Sequence, residues 1–166
     1  MNSVISNIRD VECFLIDFDG VLTDNRVFLT DSGEESVACS RADGLAFDVL
    51  RKLEVNAFIF STETNPVAIR RAEKLQIEAL VSLQDKKTSL IKLVDKMEYD
   101  LKKIVYVGND LNDYEAMLMC GLRVCPSDAH PQIQEIADVV LRTAGGYGVM
   151  RDILEQHFKL SLIKYL

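Results

Sequence analysis

Short apolar runs alternate along the chain with longer segments in which apolar residues recur every three or four positions. This alternation is typical of a parallel β-sheet covered by helices, and it predicts an α/β fold. The apolar runs are nearly continuous, as expected for strands that are buried on both faces. The predicted strands are Val11–Ile16, Asn56–Phe60, Ala79–Val81, Ile104–Val107, Leu122–Val124 and Asp138–Leu141.

The segments between these strands carry the helical period. In the first of them, Leu45, Val49 and Leu53 fall on one stripe of a helix. Pro66 suits the first turn of the next helix, where its missing N–H costs no hydrogen bond. The predicted helices are Asp43–Leu53, Pro66–Leu75, Lys87–Met97, Asn112–Cys120 and a last helix from about Gly148 to Phe158.

A β-hairpin is predicted directly after the first strand, where the alternation is interrupted. Val27–Leu29 and Val37–Cys39 flank the polar turn TDSGEES, so the hairpin should occupy about residues 24–40. Ligands of open α/β sheets bind at the carboxyl ends of the strands. A hairpin that begins there would overhang the site or pair with a neighbouring subunit.

The amino-acid composition is that of a single globular domain. The 166 residues are 48% hydrophobic and carry a formal net charge of -7, which fits one domain over residues 1–166 with its own core. Nucleic acid is not an expected partner, because affinity for phosphate backbones needs clustered Lys and Arg.

Cysteine usage and the absence of targeting signals indicate the compartment. The four cysteines form no CxxC pair and fit no zinc spacing with the two histidines, so a reduced, cytoplasmic setting is expected. The N-terminal residues lack a signal-peptide pattern, and no apolar run approaches the roughly 20 residues that span a bilayer. We therefore expect no membrane contact.

A pair of acids follows the first strand. Asp17 and Asp19 are two positions apart, so on a strand their side chains would point the same way. Close carboxylates separate their pKa values or recruit a cation. One could remain ionised as a nucleophile while the other donates a proton. The alternative, two solvated loop acids, is weakened by the buried run that precedes them.

Three more polar sites lie near predicted strand ends. Ser61 follows the second strand, Lys86 precedes a helix, and the run GNDLND (108–113) follows the Ile104–Val107 strand. Each alone has an ordinary explanation as a helix cap, a surface lysine or an Asx-rich turn. Together they offer a hydroxyl donor, a fixed cation and oxygen ligands suited to Mg²⁺. The set indicates phosphoryl transfer through an aspartyl-phosphate.

These segments resemble a known family. DFDGVLTD, the Ser61 position, Lys86 and GNDLND are similar, in order, to the four motifs of haloacid dehalogenase (HAD) superfamily phosphatases. The similarity extends over residues 11 to 158 and is closest to small capless members that act on 3-deoxy-2-keto sugar acid phosphates. Further support comes from RADG (41–44), DAHP (128–131) and AGGYG (144–148). The resemblance implies a Rossmann-like three-layer sheet with a protruding hairpin and no cap domain.

The resemblance also implies catalytic roles. Asp17 would be the nucleophile and Asp19 the general acid and base. Ser61 would hold the transferring phosphoryl group, and Lys86 would neutralise the nucleophile and the phosphate.

The same resemblance implies a magnesium cofactor. Mg²⁺ would be held by Asp17, the backbone carbonyl of Asp19 and the GNDLND loop, through Asn109 or Asp110. Many members carry Asp where this chain has Asn109, and a neutral ligand should weaken the affinity for the metal.

The spacing of the motifs bears on how the site is covered. The intervals from Asp17 to Ser61 and from Ser61 to Lys86 are too short to hold a cap domain. Such an open site would expose an aspartyl-phosphate to water, so another element must cover it. In the resembling family that cover is a neighbouring subunit of a tetramer whose hairpins form a central barrel, and we expect a homotetramer here.

Residues beyond the four motifs indicate the substrate. KDO 8-phosphate phosphatases typically show Thr-Gly-Arg where this chain has Ser-Thr62-Glu63. A Glu there, with a Lys on the next helix (here Lys74), resembles the branch that acts on nine-carbon acids, the KDN and sialic acid 9-phosphates. Arg41 and Asp43 of the RADG segment complete the expected substrate contacts.

Other functions remain open. KDO 8-phosphate or another small phosphate ester could be the substrate instead. A non-catalytic oligomerisation module of a CMP-sialic acid synthetase system is the alternative from another class. Retention of Asp17, Asp19, Ser61, Lys86 and Asp110 argues against that loss of catalysis, and Asn109 is the only point in its favour.

Overall fold

The computed structural model describes residues 5–64 and 66–165. Along these residues the strands, numbered in chain order, are β1 (Cys13–Ile16), β2 (Phe28–Leu29), β3 (Glu35–Ser36), β4 (Asn56–Phe60), β5 (Glu78–Leu80), β6 (Ile104–Val107), β7 (Leu122–Cys125) and β8 (Val139–Val140). Six of them form one parallel sheet in the order β5-β4-β1-β6-β7-β8. The other two, β2 and β3, form an antiparallel hairpin.

Helices cover both faces of the sheet. They are α1 (Ala42–Lys52), α2 (Val67–Leu75), α3 (Lys86–Met97), α4 (Tyr114–Met117), α5 (Pro131–Ile136) and α6 (Val149–Asp152). Strand β1 shows how the layers are separated, because its side chains alternate between two cores. Phe14 and Ile16 pack in the core beneath α1, α2 and α6, whereas Cys13 and Leu15 pack in the core beneath α3, α4 and α5. The predicted three-layer α/β fold is confirmed.

No separate cap domain is present in the described part of the chain. Between β1 and α3 the described elements are a helical turn over Phe18–Leu22, the hairpin, α1, β4, α2 and β5. None of the helices described is long and apolar enough to cross a membrane.

The hairpin forms where it was predicted, but the position predicted for its second strand was wrong. That strand is Glu35–Ser36 rather than Val37–Cys39. The turn at Gly33, which has φ +84°, brings Thr30 N within 3.0 Å of Glu34 O and so fixes an earlier register. Cys39 instead forms a single bridge with Thr23 that closes the base of the hairpin.

Two helical segments also differ from expectation. The predicted helix Asn112–Cys120 divides into a 3₁₀ turn over Leu111–Asp113 and the short α4, because Asp110 and Asp113 form a capping box. Helix α5 was not predicted, although the DAHP segment carries its start signal. His130 caps its N-terminus and Pro131 occupies the first turn.

Candidate active site

The three central strands end at the same edge of the sheet. Ile16 is in register with both Ile59 and Val107, so the residues that follow these strands lie close together. They line a cleft of about 300 Å³ whose described lining is entirely polar: Asp17, Asp19, Asn25, Ser61, Thr62, Asn109, Asp110 and Asn112. The structure thus brings together the acids after β1, the hydroxyl after β4 and the loop after β6.

Lys86 lies beneath this cleft between two buried carboxylates. Its Nζ is 2.7 Å from Asp17 Oδ1 and 2.6 Å from Asp113 Oδ1, and the three side chains are at most 6% exposed. Burial by itself lowers the pKa of Lys86, but the two carboxylates outweigh it and raise that pKa. Burial, and then the charge of Asp113, raises the pKa of Asp17 to about 7 against the opposing effect of Lys86. Two acids therefore share one ammonium group, which differs from a simple salt bridge.

A tight turn after β1 sets the geometry of the first acid. Phe18 N donates to Asp17 Oδ1 at 2.8 Å, and Gly20 N donates to Thr23 Oγ1 at 3.1 Å. Gly20 has φ +82°, and a Cβ at this position would lie 2.0 Å from Asn109 Nδ2. Glycine is required here both for the positive φ and for the close approach of the loop after β6.

Ser61 and Asp19 lie on the walls of the cleft. Ser61 is buried, its N donates to Leu80 O at 2.9 Å, and its Oγ accepts from Glu63 N at 3.1 Å. Asp19 is half-buried, and burial, followed by the negative charge of Glu63, raises the pKa of Asp19. A carboxyl group with a raised pKa keeps its proton to higher pH, which suits a proton donor.

The loop after β6 offers an oxygen for a cation. Asn109 is buried, its N donates to Asp113 Oδ2 at 2.9 Å, and its Oδ1 has no partner within the described residues. Asp110 is exposed, and its Oδ1 accepts from Leu111 N at 2.7 Å. A buried acceptor without a partner is rare, and an amide oxygen from a residue that lines the same cleft as Asp17 fits a hard cation such as Mg²⁺. Within the described range no three His, Cys, Asp or Glu residues gather as a metal cluster, so a cation would also need amide or backbone oxygens.

Arg41 and Lys74 line a second cleft, of about 300 Å³, instead of the first. Its described lining is Val37, Cys39, Arg41, Val67, Arg70, Arg71 and Lys74, and we call it the basic cleft. Arg71 Nη2 donates to Ser40 O at 2.6 Å, while its buried Nε has no partner among residues 5–64 and 66–165. Lys74 thus lines the basic cleft, whereas Glu63 is not among the described lining residues of either cleft.

Asp43 lies in neither cleft. It is fully buried, and its Oδ1 accepts from Met150 N at 2.9 Å, at the start of α6. Its other oxygen is buried without a hydrogen-bond partner in the described part of the chain. Burial raises the pKa of Asp43 to about 6, although the backbone N–H groups of Met150 and Arg151 oppose the rise. The position favours a structural contact with α6.

We expect Asp43→Asn to change how stability depends on pH. The pKa of Asp43 rises from 3.8 to about 6 on folding, so its protonated form favours the fold below pH 4 and that contribution is lost by about pH 6. The difference in unfolding free energy between wild type and variant should change by about 3 kcal/mol over this interval. Urea denaturation at pH 4 and pH 7 measures it. A constant difference, or a raised KM in the variant, would place Asp43 in substrate binding instead.

The structure adds residues that sequence reasoning missed. Asn25 and Asn112 line the first cleft, and Asn112 Nδ2 donates to Thr62 Oγ1 at 3.4 Å. Asp113 lies below it, and Arg71 in the basic cleft. Signals for them were present, since Asp113 closes the GNDLND run and Arg71 precedes the predicted lysine of α2 by one helical turn.

Comparison with known proteins agrees with this geometry. A family model described as haloacid dehalogenase-like hydrolase matches residues 45–153. The 3-deoxy-D-manno-octulosonate 8-phosphate phosphatase of Escherichia coli (strain K12) is 30% identical over 153 residues, 92% of this chain and 81% of that protein.

Solved structures extend the similarity to the fold. A HAD family hydrolase from Streptomyces avermitilis superposes with a TM-score of 0.91 and 33% identity, covering 98% of this chain and 92% of that one. A second solved structure is that of the 3-deoxy-D-manno-octulosonate 8-phosphate phosphatase of Moraxella catarrhalis, in complex with magnesium, phosphate and KDO. It superposes with a TM-score of 0.88 and 27% identity, covering 96% of this chain and 92% of that one. The chain belongs to the haloacid dehalogenase-like hydrolase family.

Proposed function

We propose that this chain is a Mg²⁺-dependent phosphatase that hydrolyses the phosphate monoester of a 3-deoxy-2-keto sugar acid through an aspartyl-phosphate. The observation that carries the proposal is the Lys86 ammonium group, held against Asp17 at the floor of an all-polar cleft. A fixed cation beside a carboxylate stabilises the charge that develops when a phosphoryl group is transferred.

Asp17 is the proposed nucleophile. Its Oδ1 accepts from Phe18 N and contacts Lys86, whereas its Oδ2 makes no hydrogen bond within the described residues. Oδ2 attacks phosphorus, the bond from phosphorus to the sugar oxygen breaks, and that oxygen takes a proton from Asp19. A water molecule then gives a proton back to Asp19 and attacks the aspartyl-phosphate, which releases inorganic phosphate and restores Asp17.

Ser61 and the metal ligands orient the phosphate. Because Ser61 Oγ already accepts from a backbone N–H, its hydroxyl hydrogen is available for a phosphate oxygen. The residues that would hold Mg²⁺ are Asp17, the backbone carbonyl of Asp19 and Asn109, with Asp110 as the alternative. When bound, the ion polarises the phosphoryl oxygens and offsets their negative charge.

The basic cleft is the proposed site for the carboxylate of the sugar acid. Arg41, Arg71 and Lys74 supply positive charge there, and guanidinium groups suit a carboxylate. Asn25, Thr62 and Asn112 surround the first cleft with neutral donors and acceptors suited to sugar hydroxyls. We infer a substrate that carries a phosphate at one end and a carboxylate at the other.

In this proposal Glu63 favours a nine-carbon acid over KDO 8-phosphate. The Glu63 carboxylate can accept hydrogen bonds from sugar hydroxyls or from an amide group of the substrate, and it repels a substrate carboxylate. The named phosphatase relatives support KDO 8-phosphate as the second candidate. The test is Mg²⁺-dependent phosphate release from KDN 9-phosphate, N-acetylneuraminate 9-phosphate and KDO 8-phosphate, with Asp17→Asn as the blank. Preference for KDO 8-phosphate would overturn the nine-carbon assignment, and release from none would favour another ester or a non-catalytic module.

Replacing Glu63 with Gln is expected to shift the pH profile of hydrolysis. The charge of Glu63 helps to raise the pKa of Asp19, so its loss lowers that pKa. The proton donor is then lost at lower pH, and the alkaline limb of kcat/KM moves to lower pH. Initial rates between pH 5 and 10 measure the shift, with Glu98→Gln, an exposed acid just after α3, as the control. An unchanged limb would separate Glu63 from the proton donor.

We propose a homotetramer assembled through the hairpin. Val27, Phe28 and Leu29 are 54%, 63% and 68% exposed, which is an unusual run of apolar surface for a strand edge. Phe28→Asp is expected to produce smaller species in sedimentation velocity, because it places a charge in the apolar contact. Asp31→Lys, at the tip of the same hairpin, should leave the tetramer intact. A wild-type monomer would contradict the assembly.

A further inference from the structure

Tyr106 is a fully buried residue of β6 that has no part in the reaction described above. Its hydroxyl donates to Asp113 Oδ1 at 2.8 Å, the same oxygen that Lys86 Nζ contacts at 2.6 Å. Its ring packs edge-on against Phe60, with centroids 6.1 Å apart. Burial raises the pKa of the Tyr106 hydroxyl well above its usual value, so this group remains a donor. The contacts form a continuous chain from Tyr106 through Asp113 and Lys86 to the proposed nucleophile.

Asp113 joins two parts of the site. Its Oδ1 accepts hydrogen bonds from the Tyr106 hydroxyl and from Lys86 Nζ. Its Oδ2 accepts from Asn109 N at 2.9 Å and from Asp110 N at 3.3 Å. One carboxylate therefore holds both the ammonium group under the cleft and the loop proposed to bind the metal. A buried carboxylate needs several hydrogen-bond donors. The Tyr106 hydroxyl supplies one of them to Oδ1, the oxygen that also contacts Lys86.

We infer that Tyr106 is a positioning residue whose hydroxyl sets how Lys86 is shared between Asp113 and Asp17. Without the hydroxyl, Asp113 Oδ1 would depend on Lys86 alone and attract it more strongly. The ammonium group would then lie further from Asp17 and from the phosphate. The inference rests on the proposed phosphatase function, but it concerns the phosphate end of the site and holds for any phosphate ester.

The test uses Tyr106→Phe in the full chain with Mg²⁺. The variant keeps the ring against Phe60 and removes only the hydroxyl, so weaker binding of inorganic phosphate and a roughly tenfold lower kcat with p-nitrophenyl phosphate are expected. Titration calorimetry with phosphate and initial-rate kinetics measure the two quantities. Tyr99→Phe is the matched control, because it removes a hydroxyl bonded to Asn56 Nδ2 at 2.7 Å, outside the residues that line the cleft.

A double-mutant cycle separates positioning from a general effect on the fold. In the background of Asp113→Asn, the further loss of the hydroxyl should change phosphate binding much less than it does in the wild type, because both residues act through one contact. Additive effects would overturn the inference. If Asp113→Asn does not fold, the phosphate affinity of Tyr106→Phe alone decides, and an affinity equal to that of Tyr99→Phe overturns it. A wild type that binds no phosphate would contradict the proposed function itself.

Discussion

Replacing Asp17 with Asn is expected to reduce hydrolysis of every phosphate ester by about 10⁴-fold or more, because an amide cannot form the aspartyl-phosphate. The fold should be retained. Asn keeps the shape of the side chain and an oxygen that can accept from Phe18 N. The change also removes one of the two acids that share Lys86. Burial raises the pKa of Asp17 to about 7, so its ionised form opposes folding near neutral pH. The variant should therefore unfold at an equal or higher temperature.

Phosphate release and thermal unfolding, measured on the same preparation, test both parts of this expectation. Asp95→Asn, an exposed acid of α3, is the matched control and should behave as the wild type. Turnover above about 1% of wild type in Asp17→Asn would rule out the covalent mechanism. Loss of activity accompanied by unfolding would assign Asp17 a structural role that the shared ion pair does not predict.

Replacing Lys86 with Met is expected to have the largest effect on stability. Asp17 and Asp113 would then face each other in a buried site with no cation between them. Removing one partner of a buried ion pair costs about 3–5 kcal/mol, and catalysis should be lost as well. Urea denaturation in the presence of a chelator measures the cost, because a bound metal would partly replace the missing charge.

The neighbouring lysine provides the control for this experiment. Lys87 pairs with Glu115 at 2.9 Å on the surface, and both side chains are largely exposed. Lys87→Met should leave the unfolding free energy nearly unchanged. The cost of Lys86→Met should be smaller at pH 5 than at pH 8, because loss of Lys86 raises the pKa of Asp17 further and protonation of Asp17 relieves the repulsion. A cost that is the same at pH 8 and pH 5 would mean that charge is not its cause.

The central strands and the acids that follow them could be predicted because the signal is local. The apolar runs that form β1, β4 and β6 are continuous, and polar residues follow each of them at once. A parallel sheet must bring such strand ends to one edge. For that reason the four resembling segments converge on one region of the structure, although their sequence positions span almost a hundred residues.

The register of the hairpin and the ends of the helices were harder to predict. The position of β3 depends on the turn at Gly33, and apolar residues at 37 and 39 made a later strand look equally good. The helix after the GNDLND run begins only at Tyr114, because side chains of the run cap a 3₁₀ turn over Leu111–Asp113 instead. Competing hydrogen bonds of similar strength decide these boundaries, and hydrophobic periodicity does not report on them.

By itself, the sequence determined the class of fold, the sheet edge that carries the chemistry and the residue types available there. Only the tertiary structure decided which groups meet. Lys86 and Asp113 are 27 positions apart, yet they are in contact beneath the cleft. Asp43, whose neighbours in sequence suggested a substrate contact, is instead buried under α6. Such contacts depend on strand order and helix packing across the whole sheet, which local patterns of apolar and polar residues do not specify.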